Sequence, residues 1–199
     1  VIPKGGALEV AGTMARHQGN YELARSFYLQ AWEVASTPAA RSSALGNLAE
    51  TDYRQGHYHE AHHGYGRSLA EAEPDTELGE AARVGLGRSL WSLGEREAAR
   101  KKLEESLADS LRQGFLRQAG WSHNALGELA RSQPDFAAAT RHFTSSAAIF
   151  EELSDYGPRA ILVQNLAFVQ LAQGDAEAAA AGLLQAFQHW FRCGSQHGL

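Results

Sequence analysis

The sequence predicts an all-α protein built as an array of about five antiparallel helical hairpins, and three observations carry that prediction. Long stretches rich in Ala, Leu, Glu, Arg and Gln are broken only by short Gly, Pro or Asp punctuation, with five prolines in 199 residues, a pattern that favours helices and shows no strand alternation. Turn-forming pairs recur at Gly19-Asn20, Gly56-His57, Gly94-Glu95, Pro134-Asp135 and Gly174-Asp175, at intervals of 37 to 40 residues. Small residues recur in the same register: Gly12 with Ala24, Ala49 with Ala61, Gly87 with Ala99, Gly127 with Ala139, and Ala167 with Ala179, each pair twelve apart. A fixed period of this length is the signature of a repeat architecture.

Each element follows from that register. Gly at the turn can take the left-handed conformation that ends one helix, and the Asn or Asp after it can cap the next. The paired small residues mark where the two helices of a hairpin approach closely. Four residues after the second small residue comes a large apolar one, Tyr28, Tyr65, Leu103, Phe143 and Leu183 in turn, expected to fill the core between neighbouring hairpins. The hairpins are placed at about 5–36, 40–72, 78–112, 117–153 and 157–192 of a single solenoid spanning 1–199, with Val163–Leu183 the clearest copy. Glu73-Pro74-Asp75 and Tyr156-Gly157-Pro158 read as turns between hairpins. Because each hairpin would meet only its neighbours, stability should approach a sum over repeats.

Composition narrows the function. Hydrophobic residues make up 44% and charged residues 21%, and the formal net charge of −5 comes from interspersed acids and bases; phosphate neutralisation needs a clustered basic face, so nucleic acid is not an expected partner. No apolar run approaches the ~20 residues that cross a bilayer, and no leader pattern opens the chain, so neither a membrane nor export is expected. Cys193 is the single cysteine, which fits a reducing compartment, and a cytoplasmic location is expected. The chain opens on Val1, from which a segment of a longer protein is expected.

The phrases FEELSDYGPRAILVQNLAFVQLAQGD and SLRQGFLRQAGWSHNALGELARSQPD, with the paired small residues, resemble tetratricopeptide repeats over nearly the whole chain. The period exceeds the usual 34 residues, and the similarity is to the long-helix variant of bacterial regulators and signalling ATPases. The sequence departs from the family pattern in lacking the early aromatic of each first helix and in carrying Pro134 where Gly is usual. The resemblance implies a right-handed superhelical solenoid whose first helices line a concave groove for a peptide or protein ligand. Carried over residue by residue, that groove is Glu9, Thr13, Arg16 and His17, then Gly46, Glu50, Tyr53 and Arg54, then Val84, Arg88 and Trp91. It continues with Trp121, Asn124, Glu128 and Arg131, and ends with Gln164, Phe168 and Leu171. Trp91, Tyr53 and Phe168 could serve as apolar anchors while Arg54, Arg88 and Arg131 take carboxylates; equally, Arg and Glu on adjacent helices could simply pair with each other. The Lys, Asn and Arg set of the chaperone-tail receptors is missing, with Glu9, Thr13 and Glu50 in its place, which disfavours a chaperone co-factor role.

Other motifs carry little chemistry. His59-Glu60-Ala61-His62-His63 matches the HExxH letters of zinc proteases, but Ala61 belongs to the hairpin register, no third ligand is evident, and Gly64 is a poor continuation for a catalytic helix. Adventitious metal binding through His57, His59, His62 and His63 is the milder version. Cys193, flanked by His189 and His197, reads as a chain end, Ser122-His123 lacks a nucleophile elbow, and Gly85-Leu86-Gly87 falls inside a helix. Leu183, Leu184, Phe187, Trp190 and Phe191 form an apolar row at helical spacing that no later segment obviously covers, an expected open-end interface for a further repeat or a second copy. The sequence therefore predicts a non-catalytic peptide- or protein-binding scaffold without cofactor, the interaction or sensor region of a bacterial regulatory or signalling protein. A quorum-type peptide receptor and, from another class, a metal-dependent hydrolase on His59, Glu60 and His63 are the alternatives. The ligand's identity is not written in the sequence.

Overall fold

Glycine punctuates the helices where the repeat demands it. Gly19, Gly56, Gly94 and Gly174 all have φ between 75° and 88°, a left-handed turn that costs glycine least because it has no Cβ. The helix after the turn is then capped: Asn20, Asp135 and Asp175 accept hydrogen bonds from the backbone N–H groups of Leu23, Ala138 and Ala178. Thr37 and Thr76 cap the helices that begin at Pro38 and Glu77 in the same way.

The computed structural model describes residues 4–196, with side chains as far as Phe191, and contains ten α-helices and no strand among them. They are α1 (Lys4–His17), α2 (Tyr21–Glu33), α3 (Pro38–Arg54), α4 (Tyr58–Glu71), α5 (Glu77–Ser92), α6 (Arg96–Gln113), α7 (Leu116–Ser132), α8 (Phe136–Glu152), α9 (Tyr156–Ala172) and α10 (Ala176–Gln196). The side chain of Cys193, and His197 altogether, lie outside the described residues. No described helix is long and apolar enough to cross a membrane. The chain divides into two compact units, 1–102 and 103–199.

In the first unit consecutive helices from α1 to α5 pack on one another, and α3 also lies against both α1 and α5, so these three odd-numbered helices form a layer of their own. Ala15, Ala24, Tyr28, Leu45 and Leu48 make one core cluster, and Ala49, Ala61 and Tyr65 another. Size matching explains the small residues. A Cβ on Gly12 would fall 2.6 Å from the Tyr28 ring, so glycine there makes room for the aromatic. Where the first helix carries Ala49 instead, the second carries Gly64, whose own Cβ would sit 2.9 Å from that of Ala49.

In the second unit α7 to α10 pack in sequence, with α7 also beside α9. Phe143, Phe150, Leu162 and Val169 are buried together with Ala130 and Ala139, and Gly127 seats the Phe143 ring as Gly12 seats Tyr28. Two expectations are corrected here. Tyr156-Gly157-Pro158 is the first turn of α9 and not a connection, since the chain reverses at Ser154 (φ 53°) and proline is tolerated at a helix start where its missing N–H has no partner to lose. Leu183 is 38% exposed where Tyr28, Leu103 and Phe143 are fully buried, because no described helix packs over that side of α10.

Candidate functional site

In the first unit three of the predicted groove residues, Arg16 of α1, Arg54 of α3 and Arg88 of α5, converge on a single carboxylate. Glu50, on α3, accepts from Arg54 Nε at 2.9 Å through Oε1, and from Arg88 Nη1 at 3.0 Å and the Tyr65 hydroxyl at 2.6 Å through Oε2. Arg16 approaches Oε1 only to 3.9 Å. Burial of Glu50 raises its pKa, but Arg88, the Tyr65 hydrogen bond, Arg54 and Arg16 together outweigh it and hold the group at about 2. Tyr53 completes the cluster: the Arg88 guanidinium lies 4.3 Å above its ring, and its hydroxyl is 3.1 Å from Ser92 Oγ. Glu9, further toward the start of α1, is engaged by Ser43 at 2.6 Å and Asn47 at 3.4 Å. Arg54, on the same helix as Glu50, and Arg88, on α5, thus both already hold its carboxylate.

The second unit has a different inventory. Asn165 Nδ2, on α9, donates to Asn124 Oδ1, on α7, at 3.0 Å, and Asn124 Nδ2 donates to Glu128 at 3.3 Å. Both asparagines are buried. Arg131 stands 6.0 Å over the Phe168 ring with its Nε buried and without a hydrogen-bond partner. Trp121 turns inward and packs edge-on against Phe150, centroids 5.1 Å apart, as part of the core. Leu171 is exposed.

Four residues escape the sequence pattern. Tyr65 holds a core position in the register, and its ring is there, but a phenol in a buried slot needs a partner for its hydroxyl, and that requirement is the available signal. Asn165, with Gln164 before it, interrupts the otherwise apolar stretch Ile161–Val169, which is a similar signal. His123 and His142 face each other with Nδ1 atoms 3.0 Å apart; burial first, and His142 second, lower the His123 pKa to about 4. Nothing in the repeat pattern points to that pair.

The HExxH letters do not assemble a metal centre among the described residues. His59, Glu60 and His63 are exposed, His62 turns to Ser89 Oγ at 3.1 Å, and no group of three or more His, Cys, Asp or Glu is placed to hold an ion.

No protein-family model matches the sequence, and no curated protein matches it. Solved structures do. A Rap protein complexed with competence and sporulation factor superposes with a TM-score of 0.82 at 18% identity, over 94% of this chain and 54% of that one. The Rap conjugation gene regulator of plasmid pLS20, in complex with the Phr* peptide, gives 0.81 at 16% identity over 92% and 52%. TTC0263, a thermophilic TPR protein of Thermus thermophilus, gives 0.71 at 19% identity over 93% and 91%. The fold is that of tetratricopeptide repeats. The chain spans about half the length of the two Rap proteins, and at these identities the likeness concerns the fold alone.

Proposed function

We propose that this TPR-type chain is a non-catalytic scaffold that binds a peptide or protein segment along its first helices, α1, α3 and α5 in one unit and α7 and α9 in the other. The observation that carries the reading is the convergence of charged, amide and aromatic groups there. Arg16, Glu50, Tyr53, Arg54 and Arg88 gather on one face, and Asn124, Glu128, Arg131 and Phe168 on another. Such a mixture offers hydrogen bonds to a peptide backbone and planar surfaces to its side chains. The two Rap structures, each holding a peptide or factor, lend support, and a role as the sensor region of a bacterial regulatory protein in the cytoplasm is the reading we favour. A quorum-type peptide receptor is one form of it.

Fluorescence polarisation against a random-sequence peptide library, with wild type and with Arg88→Ala/Trp91→Ala, tests the proposal. Wild type should select peptides that the double variant loses. Equal recovery by both would move binding away from α5, and an empty selection would remove the peptide reading.

A second contact surface is favoured by one specific feature. Leu184, Phe187, Trp190 and Phe191 on α10 are 45–71% exposed, an apolar row of the kind that marks association surfaces. A second copy of the chain is the proposed occupant.

A further inference from the structure

Helices α1 and α10 expose the positions that their counterparts in other hairpins bury. Counted from Ala179, Leu183 of α10 stands where α2, α4 and α8 carry Tyr28, Tyr65 and Phe143, Phe187 where they carry Trp32 and Ala147, and Trp190 where α8 carries Phe150. Tyr28, Tyr65, Phe143 and Phe150 are buried, and Trp32 and Ala147 pack against a core, because a first helix of the following hairpin covers them. Tyr28 shares its core with Leu45 and Leu48 of α3, the Tyr65 ring lies against Gly85 of α5, and Phe143 and Phe150 share theirs with Leu162 and Val169 of α9. On α10 the three equivalents are 38%, 66% and 45% exposed. Helix α1 shows the reverse face of the same contact. Counted from Gly12, Ala7, Val10 and Met14 stand where α3 has Ala44, Asn47 and Thr51, α5 has Ala82, Gly85 and Ser89, and α9 has Leu162, Asn165 and Val169. Those positions meet the preceding hairpin: Ser89 pairs with His62, Asn47 donates to Glu9, and Asn165 donates to Asn124. Ala44, Thr51, Ser89, Leu162 and Val169 are buried, whereas Ala7 is exposed and Val10 and Met14 are 58% and 60% exposed.

We propose that the chain self-associates head to tail, with Leu183, Phe187 and Trp190 on α10 of one copy seated on Ala7, Val10 and Met14 on α1 of another. The contact repeats between copies what α2 makes on α3, α4 on α5 and α8 on α9 within one. The inference rests on the reading that a second copy covers α10, and it names the surface that the second copy offers. Each trio lies at spacings of three and four, so it forms one stripe on its helix. Size decides between α1 and a second α10 as the seat. Inside the chain a large side chain on the second helix meets a smaller or flexible one on the next first helix, as Tyr65 meets Gly85, and Ala7, Val10 and Met14 continue that series; α10 against α10 would set Phe187 and Trp190 against each other. Neither stripe contains a charged residue, so docking strips no ion of its water. The contact is heterologous, and a copy blocked at one helix stays competent at the other.

Sedimentation velocity on the full chain, on Met14→Glu, on Phe187→Glu and on an equimolar mixture of the two variants tests the inference. Wild type should gain mass as concentration rises. Each variant alone should self-associate at least about tenfold more weakly, because a carboxylate would be buried unpaired in an apolar contact. The mixture should form a one-to-one complex, through the α10 that Met14→Glu retains and the α1 that Phe187→Glu retains. Both side chains are exposed, so circular dichroism of either variant should match wild type; if Met14→Glu alters it, Val10→Glu blocks the same stripe. Met14→Glu associating as strongly as wild type, or a mixture as dissociated as its components, would overturn the inference and leave the second-copy reading of α10 standing. A wild type that is monomeric at every concentration would remove both together.

Discussion

Replacing Glu50 with Gln keeps the shape of the side chain and removes the charge on which α1, α3 and α5 converge. The native pKa of about 2 lies below the ordinary 4.5, so the group stabilises the fold at every pH above its unfolded value. That stabilisation is lost as pH falls through the native value. A depression of this size corresponds to about 3 kcal/mol at pH 7 and about half that at pH 3, where the unfolded chain already holds the proton and the native one mostly does not. Glu50 is only 17% exposed, so solvent screening takes little from the figure. Urea unfolding of wild type and Glu50→Gln at pH 7, 5 and 3 measures the difference directly. Wild type should lead by about 3 kcal/mol at pH 7, and the lead should shrink by about half at pH 3. A gap that stays constant from pH 7 to 3 would show that the substitution acts through packing or hydrogen-bond geometry, and that the three arginines do not hold the carboxylate ionised.

Two glycines in helices should answer oppositely to alanine. Gly127→Ala forces a Cβ to within 2.6 Å of the Phe143 ring and should lower stability by about 1–3 kcal/mol, whereas Gly66→Ala meets nothing within 4 Å and should raise it by about 0.5–1 kcal/mol; thermal unfolding of both distinguishes them. Asn165→Ala removes the donor to Asn124 inside the second unit and should cost about 1–3 kcal/mol in urea unfolding, because Asn124 is left with a buried acceptor unpaired. Phe187, 66% exposed on α10, should be replaceable by Glu without loss of helix content by circular dichroism. If a second copy covers α10, light scattering will show the wild type associating with concentration and Phe187→Glu remaining a monomer; a monomeric wild type at all concentrations would end that reading.

The fold was legible because its determinants are local and periodic. Gly19 and Gly56 advertise left-handed turns, Asn20 and Asp175 advertise caps, and a small residue on the first helix appears wherever the second must approach. What periodicity could not say is which partner each small residue meets. Gly12 and Gly127 make room for Tyr28 and Phe143, but Ala49 is matched by Gly64, a residue that in isolation looks like a flaw in its helix. Steric complementarity is a property of pairs, and the twelve-residue register recorded only one member of each. The same limit explains Tyr156-Gly157-Pro158: a proline beside a glycine signals a break, yet only the fold of the preceding turn at Ser154 decides on which side of the helix start it falls.

The site was legible as a set of positions but not as a set of bonds. Arg16, Glu50, Arg54 and Arg88 could be assigned to one face through the repeat alignment. Whether they faced a ligand or one another depended on distances between helices, which the sequence does not contain. The structure shows that Glu50 absorbs Arg54 and Arg88, while Arg16 Nε is buried and unmatched. Tyr65 decides that outcome. Its ring fills the core slot that the register assigns to a large apolar residue, and its hydroxyl occupies one lone pair of Glu50 Oε2. A phenylalanine there would keep the packing and return an acceptor to the arginines. The distribution of cations over this face is therefore set by one oxygen on a residue that hydrophobic periodicity counts only as core.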